Sequence, residues 1–265
     1  MVGKLIILGS GTSTGVPTLG CDCAVCHSAD PRDRRLRPSV LISAGGHNIL
    51  IDTTPDFRYQ AMRAGLRSIE AVLFTHSHAD HIMGMDDIRP FNFNRSQPIP
   101  IYADAGVLED LRRVFRYVFS GNEYASAIPR LTAHAMQGPM VIEGVRFEPL
   151  PVMHGNLPIL GYRFGPNAYV TDFSSIPEAT LQRLRGLDLL ILDALRHRPH
   201  PTHSHLANSL ALVERLQPRR ALFTHICHEL PHRETSALLP PGVELAYDGL
   251  EVGIRLDDAA EDGLA

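Results

Sequence analysis

The amino-acid sequence predicts a protein of the α/β class, with two similar β-rich halves. Short apolar runs bounded by polar residues, such as residues 71–74, are typical of buried strands rather than of helices. Apolar residues recur at helical spacing between these runs, in segments 105–118 and 206–216. The tetrapeptide Leu-Phe-Thr-His also occurs twice, at 73–76 and 222–225, and each copy follows a hairpin-rich stretch and a helix. We therefore expect the strand ends of both halves to meet at one site.

Length and composition are those of an ordinary globular protein. The 265 residues are 44% hydrophobic and 20% charged, and we expect one domain over residues 1–256 followed by an acidic, flexible tail over 257–265. The net charge of −4 argues against a basic nucleic-acid interface. The N-terminal apolar run is too short for a signal peptide, and no run approaches a membrane span. These features predict a cytoplasmic protein that does not contact membranes.

The first half is predicted to alternate strands with helices. Glycines 45 and 46 separate two apolar runs and indicate a hairpin, while the segments before and after the 71–74 strand have helical spacing. The expected elements are strand Lys4–Leu8, hairpin Val40–Ser43 with Asn48–Ile51, helix Pro55–Ala64, strand Ile99–Tyr102 and helix Ala105–Val118.

The second half is predicted from the same signals. Its helix Leu206–Leu216 should be capped by Ser204 and end before Pro218. The expected strands are the hairpin Val141–Pro149, the hairpin Leu160–Phe164 with Ala168–Val170, the strand Leu187–Leu192, the strand Ala221–Phe223 and a closing hairpin of Glu244–Tyr247 with Leu250–Ile254.

Residues 76–81, His-Ser-His-Ala-Asp-His, place four metal-ligand side chains directly after the 71–74 strand. In an extended chain His76 and His78 point to one side, and Asp80 and His81 follow after a turn. One metal can bind the first pair and a neighbouring metal the second. Asp52 ends a strand and Thr75 precedes His76, and we expect both to hold this loop through hydrogen bonds rather than to bind metal.

The N-terminal loop carries glycines and a cysteine cluster. Residues 9–15 lack the spacing of a dinucleotide loop, and no Gly-Lys-Ser/Thr follows, so a P-loop is excluded. Cys21, Cys23 and Cys26 fall within six residues, which in a cytosolic protein indicates a structural zinc site lacking one ligand. Free thiols are the alternative.

The His-x-His-x-Asp-His motif after a strand resembles that of the metallo-β-lactamase superfamily. The resemblance implies a four-layer αββα sandwich and a site with two metals. It assigns His76, His78 and His154 to the first metal, Asp80, His81 and His225 to the second, and Asp172 as the bridge. His154, Asp172 and His225 each end an apolar segment, in the order the family requires.

A second resemblance is narrower. Cys21-x-Cys23-x-x-Cys26 together with residues 225–228, His-Ile-Cys-His, resembles the PhnP branch, phosphodiesterases acting on phosphoribosyl 1,2-cyclic phosphate. It implies that His228 completes a zinc knuckle with the three cysteines, although Cys227 is an alternative ligand. The family also often forms homodimers. The loops that would grip the substrate carry no motif that can be transferred.

The implied chemistry is attack by a bridging hydroxide on a small phosphodiester, such as a cyclic phosphate or a nucleotide diester. Two divalent metals, zinc or manganese or iron, outweigh the charges of Asp80, Asp172 and the hydroxide and leave a centre suited to a phosphate anion. The leaving alkoxide needs a proton, and three histidines lie at 200, 203 and 205. The resemblance favours His203 as general acid, with His200 as the alternative.

Two alternative functions come from the same superfamily. A tRNA 3′-processing endonuclease would need a basic surface or an RNA-binding arm, and neither is evident at this net charge. A noncatalytic carrier like the PqqB-type proteins shares a similar cysteine cluster, but retention of every metal ligand argues against it. Residues 228–232 match the His-Glu-x-x-His pattern of zinc proteases, but Pro231 would cost the required helix about 3 kcal/mol.

Overall fold

The computed structural model describes residues 1–93, 95–121 and 127–256. Its strands are β1 (Val2–Gly9), β2 (Ser39–Ala44), β3 (His47–Ile51), β4 (Ala71–Leu73), β5 (Ile99–Ala103), β6 (Leu131–Ala135), β7 (Met140–Ile142), β8 (Val145–His154), β9 (Leu157–Phe164), β10 (Asn167–Val170), β11 (Leu189–Asp193), β12 (Arg220–Thr224), β13 (Val243–Leu245) and β14 (Glu251–Arg255). Its α-helices are α1 (Phe57–Arg63), α2 (Ala79–Ile82), α3 (Ala105–Val114), α4 (Arg116–Phe119), α5 (Glu178–Arg183), α6 (Leu206–Leu216) and α7 (His232–Ser236). Short 3-10 helices span Pro31–Asp33 and Met85–Asn92.

The strands form two sheets with corresponding orders. The first runs β14-β1-β2-β3-β4-β5-β6 and the second β13-β12-β11-β10-β9-β8-β7. Strands β3 to β6 pair in parallel in the first sheet, as do β10 to β13 in the second. The two β-rich halves suggested by the repeated tetrapeptide are therefore two sheets of similar construction.

Side-chain alternation along the strands builds three apolar layers. In β1, Leu5 and Ile7 pack in the core between the sheets, whereas Ile6 and Leu8 pack with residues of α1 and α3. In β11, Ile191 belongs to the central core, and its neighbours pack with residues of α5 and α6. Burial on both faces explains why these strands read as continuous apolar runs. Helices cover both outer faces, and the predicted four-layer αββα sandwich is confirmed.

The strand ends that carry candidate site residues lie along one edge of the sandwich. Parallel strands have their carboxyl ends at the same edge. The residues that follow β4, β10, β11 and β12 therefore lie near one another. Strand β8 is antiparallel to β9, which is antiparallel to β10, and so it runs with the same sense. The residues delivered in this way are His76, His154, Asp172, Asp193 and His225.

The prediction of a closing hairpin over residues 244–254 is wrong. Strand β13 pairs in parallel with β12 in the second sheet, while β14 pairs antiparallel with β1 in the first. The turn between them crosses from one sheet to the other and is anchored by buried Asp248, which accepts hydrogen bonds from Ser10 N and Leu36 N (2.8 and 2.9 Å). Alternation and a turn signal alone do not distinguish such a crossing from a hairpin.

Two helix details also differ from expectation. The N-cap of α6 is His205 rather than Ser204, whose hydroxyl instead accepts a hydrogen bond from Asn208 Nδ2 (2.9 Å). The predicted helix 105–118 is broken at buried Phe115, whose backbone leaves the helical region (φ −106°, ψ 43°). Strand β6 was not predicted. The tail expected at 257–265 lies outside the described residues.

Candidate metal centre

The segment after β4 changes from extended chain to helix within six residues. His76 is buried at the strand end, and His78 is the extended N-cap of α2. The chain turns into α2 before Asp80 and His81, as the sequence predicted, and the ring of His81 lies 4.1 Å from that of His76. The end of α2 lies against residues 53 and 54, where a Cβ on Gly84 would come within 2.1 Å of the Thr54 carbonyl oxygen. Glycine at this position lets the metal-binding segment dock on the end of β3.

The first three histidines converge from both sheets. His76 Nε2 lies 3.1 Å from His78 Nδ1, and the ring of His154 lies 5.7 and 5.1 Å from those of His76 and His78. His154 Nδ1 is 2.8 Å from the carbonyl oxygen of Thr202, which must accept the hydrogen bond. The tautomer of His154 is thereby fixed with its Nε2 lone pair free to bind a metal.

The remaining four residues form a second, adjoining cluster. Ligand atoms of Asp80, His81, Asp172 and His225 all lie within 4.8 Å of one another. His81 Nε2 is 3.3 Å from both carboxylates, and His225 Nε2 is 3.1 Å from Asp172 Oδ2. Asp172 Oδ2 faces His225 while its Oδ1 faces His81, so this carboxylate lies centrally in the cluster.

Buried ligand atoms without hydrogen bonds show that the residues present fit a metal. Asp80 Oδ2, His81 Nε2 and His225 Nε2 are each buried and lack a hydrogen-bond partner within the described residues. A buried polar atom without a hydrogen bond costs about 1–3 kcal/mol, and a shared cation would satisfy all three of these facing atoms at once. Imidazole and carboxylate donors without thiolate suit zinc, manganese or iron.

Backbone strain is concentrated at the same place. Among the described residues, five other than glycine have positive φ, and three of them are Asp52 (66°), Asp172 (58°) and His225 (56°). Such a conformation is uncommon for these residue types and persists only where the surrounding structure enforces it. Each of the three lies within two residues of a strand end, so the strain turns its side chain toward the site.

Asp52 and Thr75 hold the metal-binding segment from behind. Asp52 accepts hydrogen bonds from Thr75 N and Oγ1, both at 2.8 Å, and its Oδ2 lies 2.8 Å from His81 Nδ1. This carboxylate–histidine contact orients His81 with Nε2 facing the cluster. Asp52 itself is fully buried and does not belong to any of the metal-ligand groups among the described residues.

Opposite charges within the cluster shift the pKa values of its imidazoles and carboxylates. Burial opposes charge on His81, but the carboxylates of Asp172 and Asp80 outweigh it and raise the pKa of His81 well above its ordinary value. Burial likewise opposes charge on Asp172, but His225 and His81 hold its pKa well below the usual range. Carboxylates thus stay ionised in a buried pocket that favours positive charge, which is the condition for binding cations.

His203 lies beside this cluster and contacts a carboxylate that the sequence analysis missed. His203 Nδ1 is 3.0 Å from Oδ2 of Asp193, a fully buried residue at the end of β11. Burial and the charge of His225 lower the pKa of His203 to about 4. The sequence does contain a signal for Asp193. This residue ends an apolar strand, in the same way that Asp172 and His225 follow apolar strands.

The cysteine cluster is assembled with His228. His228 Nδ1 lies 3.2, 3.6 and 3.4 Å from the sulfurs of Cys21, Cys23 and Cys26, and all four ligand atoms lie within 4.8 Å of one another. The backbone N–H of Cys26 donates to Cys23 Sγ (3.4 Å) and lowers the pKa of that thiol, which favours a thiolate ligand. Cys227 is not in this group; its sulfur accepts from Glu229 N (3.3 Å).

Buried Arg35 ties the knuckle segment to the N-terminal loop. Its guanidinium donates to the carbonyl oxygens of Cys227 (2.8 Å) and Leu230 (2.7 Å) and pairs with Asp33 Oδ1 (2.9 Å). The Gly11 backbone also bridges to Ile226. The stretch 32–37 is rich in arginine, which is typical of a solvated loop, yet Arg35 is buried. The protease-like motif is excluded as expected, since α7 begins only at His232 and His228 lies outside it.

The chain is similar to a known protein family and to a solved structure. A family model described as "Beta-lactamase superfamily domain" matches residues 47–226. The chain belongs to the β-lactamase superfamily. The crystal structure of a diphosphatase from the PhnP family is 52% identical, with a TM-score of 0.92 over 97% of this chain and 98% of that one. This superfamily member is therefore a metal-dependent hydrolase related to the PhnP family.

Two further relatives extend the comparison. A protein named octanoyltransferase from Porphyromonas gingivalis is 40% identical over 96% of this chain, which spans only 53% of that relative's length. Zinc-bound PqqB from Methylobacterium extorquens shares the fold at 23% identity, with a TM-score of 0.76 over 94% of this chain and 99% of that one. Within the described residues, no helix combines the length and apolar character needed to cross a bilayer.

Proposed function

We propose that this β-lactamase-superfamily hydrolase cleaves a phosphorus–oxygen bond in a small phosphodiester, such as a cyclic phosphate or a nucleotide diester. The observation that carries the proposal is the buried group of facing ligand atoms of Asp80, His81 and His225 around Asp172, which form no hydrogen bonds within the described residues. Two adjoining ligand sets at one strand edge suit a pair of cations, and paired cations are typical of phosphate-ester hydrolysis.

The ligands divide into two sets with one shared carboxylate. His76, His78 and His154 would hold one cation, and Asp80, His81 and His225 the other, with Asp172 between them. When bound, the cations supply a hydroxide nucleophile and neutralise charge that develops on phosphorus. Asp52, Thr75 and the Thr202 carbonyl orient the imidazoles, so the ring nitrogens need little rearrangement to bind metal.

His203 is the proposed general acid, with Asp193 as its positioning residue. Asp193 Oδ2 holds the hydrogen on His203 Nδ1, which leaves Nε2 to deliver a proton to the leaving oxygen. A bound phosphate anion would favour the protonated ring, against the burial that lowers its pKa. The first N–H of α6, on Leu206, is already used by the Arg196 carbonyl (2.9 Å), so this amide is not free to bind the substrate.

A diphosphate is the second candidate substrate, because the 52% identical relative of the PhnP family is a diphosphatase. The two chemistries differ in the leaving group. An alkoxide needs a proton from His203, whereas a phosphate ester is already a stable anion at pH 7 and gains less from a general acid. A His203→Ala variant would therefore lose most of its activity on diesters with alkoxide leaving groups and less on diphosphates.

The alternative functions have weaker support. An RNA-processing nuclease would need a basic surface, which a net charge of −4 does not favour. A noncatalytic carrier would not require the ligand residues that lie together at this strand edge.

A substrate screen tests the proposal. Untreated protein would be assayed with bis-p-nitrophenyl phosphate, nucleoside 2′,3′-cyclic phosphates and nucleoside diphosphates, with manganese and with zinc added. Hydrolysis of diesters that is lost in Asp172→Ala supports it, and inactivity on every phosphate substrate with both metals would overturn it. Gel filtration of the same sample tests whether the chain forms the homodimer that the family resemblance implies.

A further inference from the structure

His200 lies at the edge of the proposed active site with one ring nitrogen fixed as an acceptor. Its Nδ1 lies 3.3 Å from the backbone nitrogen and 3.2 Å from the hydroxyl of Thr202. A backbone N–H can only donate, so Nδ1 must carry the lone pair and Nε2 the hydrogen. Burial and the charges of His203 and Arg196 lower the pKa of His200, which agrees with a neutral ring. His200 is thereby prepared as a neutral donor.

The position of the ring places this donor beside the proposed general acid. The centroid of His200 is 5.1 Å from that of His203, which in turn is 4.7 Å from that of His154. Within the described residues, Nε2 of His200 has no hydrogen-bond partner. The same Thr202 whose amide and hydroxyl orient His200 accepts from His154 through its carbonyl. One residue therefore aligns a proposed metal ligand and this free donor together.

The neighbouring arginines of the loop are engaged elsewhere. Arg198 pairs with Glu229 (2.6 Å), and the Arg196 guanidinium donates to the carbonyl oxygens of Arg198 (3.2 Å) and Pro199 (3.0 Å). These contacts stiffen the loop between β11 and α6 and support the placement of His200. The described contacts thus leave a histidine donor, rather than a guanidinium, adjacent to His203.

We propose that His200 contacts the substrate, donating from Nε2 to an oxygen of the leaving portion. This inference rests on the proposed function, since His203 marks the side on which the leaving oxygen departs. The acceptor is a hydroxyl or phosphoryl oxygen, because both accept from a neutral N–H. His200 would select substrates whose leaving portion carries such oxygens over those with a plain aromatic leaving group.

The test compares substrates that differ in the leaving portion. The leaving oxygen of a nucleoside 2′,3′-cyclic phosphate belongs to a ribose that also carries the 5′-hydroxyl. That of a nucleoside diphosphate belongs to a phosphate, and p-nitrophenolate offers neither a hydroxyl nor a phosphoryl oxygen. For His200→Ala, we expect kcat/KM on the preferred oxygen-rich substrate to fall at least about fivefold relative to bis-p-nitrophenyl phosphate, mainly through KM. A larger loss on the ribose substrate identifies a hydroxyl acceptor, and a larger loss on the diphosphate identifies a phosphoryl acceptor.

Matched variants separate the contact from a structural effect. His200→Gln retains an N–H near the Nε2 position and should restore most of the discrimination. Thr202→Val removes the hydroxyl that orients the ring and should give an intermediate loss, while Thr202→Ser should not. His197→Ala, an exposed change in the same loop, is the control for general disturbance.

Failure of the His200 role and failure of the proposed function give different experimental results. If the wild-type enzyme hydrolyses these substrates and His200→Ala lowers kcat/KM equally on all of them, or on none, the role of His200 is overturned. The proposed function then still stands. A wild-type enzyme that hydrolyses none of them would overturn both.

Discussion

Asp193 Oδ2 lies 3.0 Å from Nδ1 of His203, and the carboxylate is fully buried. Its other oxygen lies 3.9 Å from Nδ1 of His225, a proposed metal ligand. One buried carboxylate at the end of β11 therefore stands behind both the proposed acid and the proposed metal site. A substitution at Asp193 can therefore act through the proposed acid or through the proposed metal site, and the two effects can be measured separately.

The first prediction concerns that carboxylate. Asp193→Asn should lower kcat on a nucleoside 2′,3′-cyclic phosphate by about 10²-fold, because general acid catalysis typically contributes 10²–10⁴-fold. The loss should be much smaller on bis-p-nitrophenyl phosphate, whose leaving group needs little protonation. Adding His203→Ala to Asp193→Asn should cost little more, since the two residues act as a unit. Equal losses on both substrates with reduced metal content would instead indicate that Asp193 supports only His225.

The second prediction concerns the shared carboxylate of the cluster. Asp172→Ala should lower hydrolysis of bis-p-nitrophenyl phosphate by at least about 10³-fold while the protein stays folded by circular dichroism. The cause is loss of the ligand that lies between the two proposed metal sites. Metal content measured on the same variant should fall relative to wild type. Unchanged turnover would rule out the bridging role of Asp172.

The third prediction concerns the cysteine cluster. Cys23→Ser should lower Tm more than Asp172→Ala does, because a structural zinc contributes directly to folding. A loss of about 3 kcal/mol would correspond to roughly 6–12 °C in a protein of this size. Cys227→Ser is the matched control, since its sulfur lies outside the ligand group. An unchanged melting curve for Cys23→Ser would count against the knuckle.

The fourth prediction is a pH dependence of stability at His232. Burial and the charges of Arg32 and Arg35 lower the pKa of this buried histidine to about 4, against the opposing charges of Asp30 and Asp33. Because the unfolded chain protonates near pH 6.5 and the folded one only near pH 4, the unfolded state binds more protons between these values. This contribution to stability is present above pH 6.5 and is lost as pH falls toward 4.

Urea denaturation at pH 7.5 and 5.0 measures the effect. The difference between the two values should be smaller in His232→Asn than in wild type, by up to about 2 kcal/mol. Comparing differences rather than absolute stabilities removes the contributions of the other histidines. An identical pH dependence in the two proteins would contradict the lowered pKa of His232.

The fold and much of the candidate site could be predicted from local sequence because the signals are local. Buried parallel strands give continuous apolar runs, and residues that follow them are brought to one edge by the direction of the sheets. The motif at 76–81 and the cysteine cluster are compact, so their ligands could be recognised without knowledge of distant contacts.

Other features depend on contacts distant in sequence. The crossing at Asp248 requires knowing that Ser10 and Leu36 supply its partners, and burial of Arg35 depends on the carbonyls of Cys227 and Leu230. The acceptor role of His200 Nδ1 depends on the loop conformation that places Thr202 against it. Such partners are set by tertiary packing, which periodicity and spacing do not encode.

The most direct test of the two-metal centre is the metal content of untreated protein. Elemental analysis against a protein concentration from amino-acid analysis should give about three metal atoms per chain, one of which resists mild chelation as the knuckle zinc. Asp172→Ala should lower the chelatable fraction and leave the resistant atom in place. A value near one metal atom per chain, unchanged by added manganese or zinc, would contradict the account.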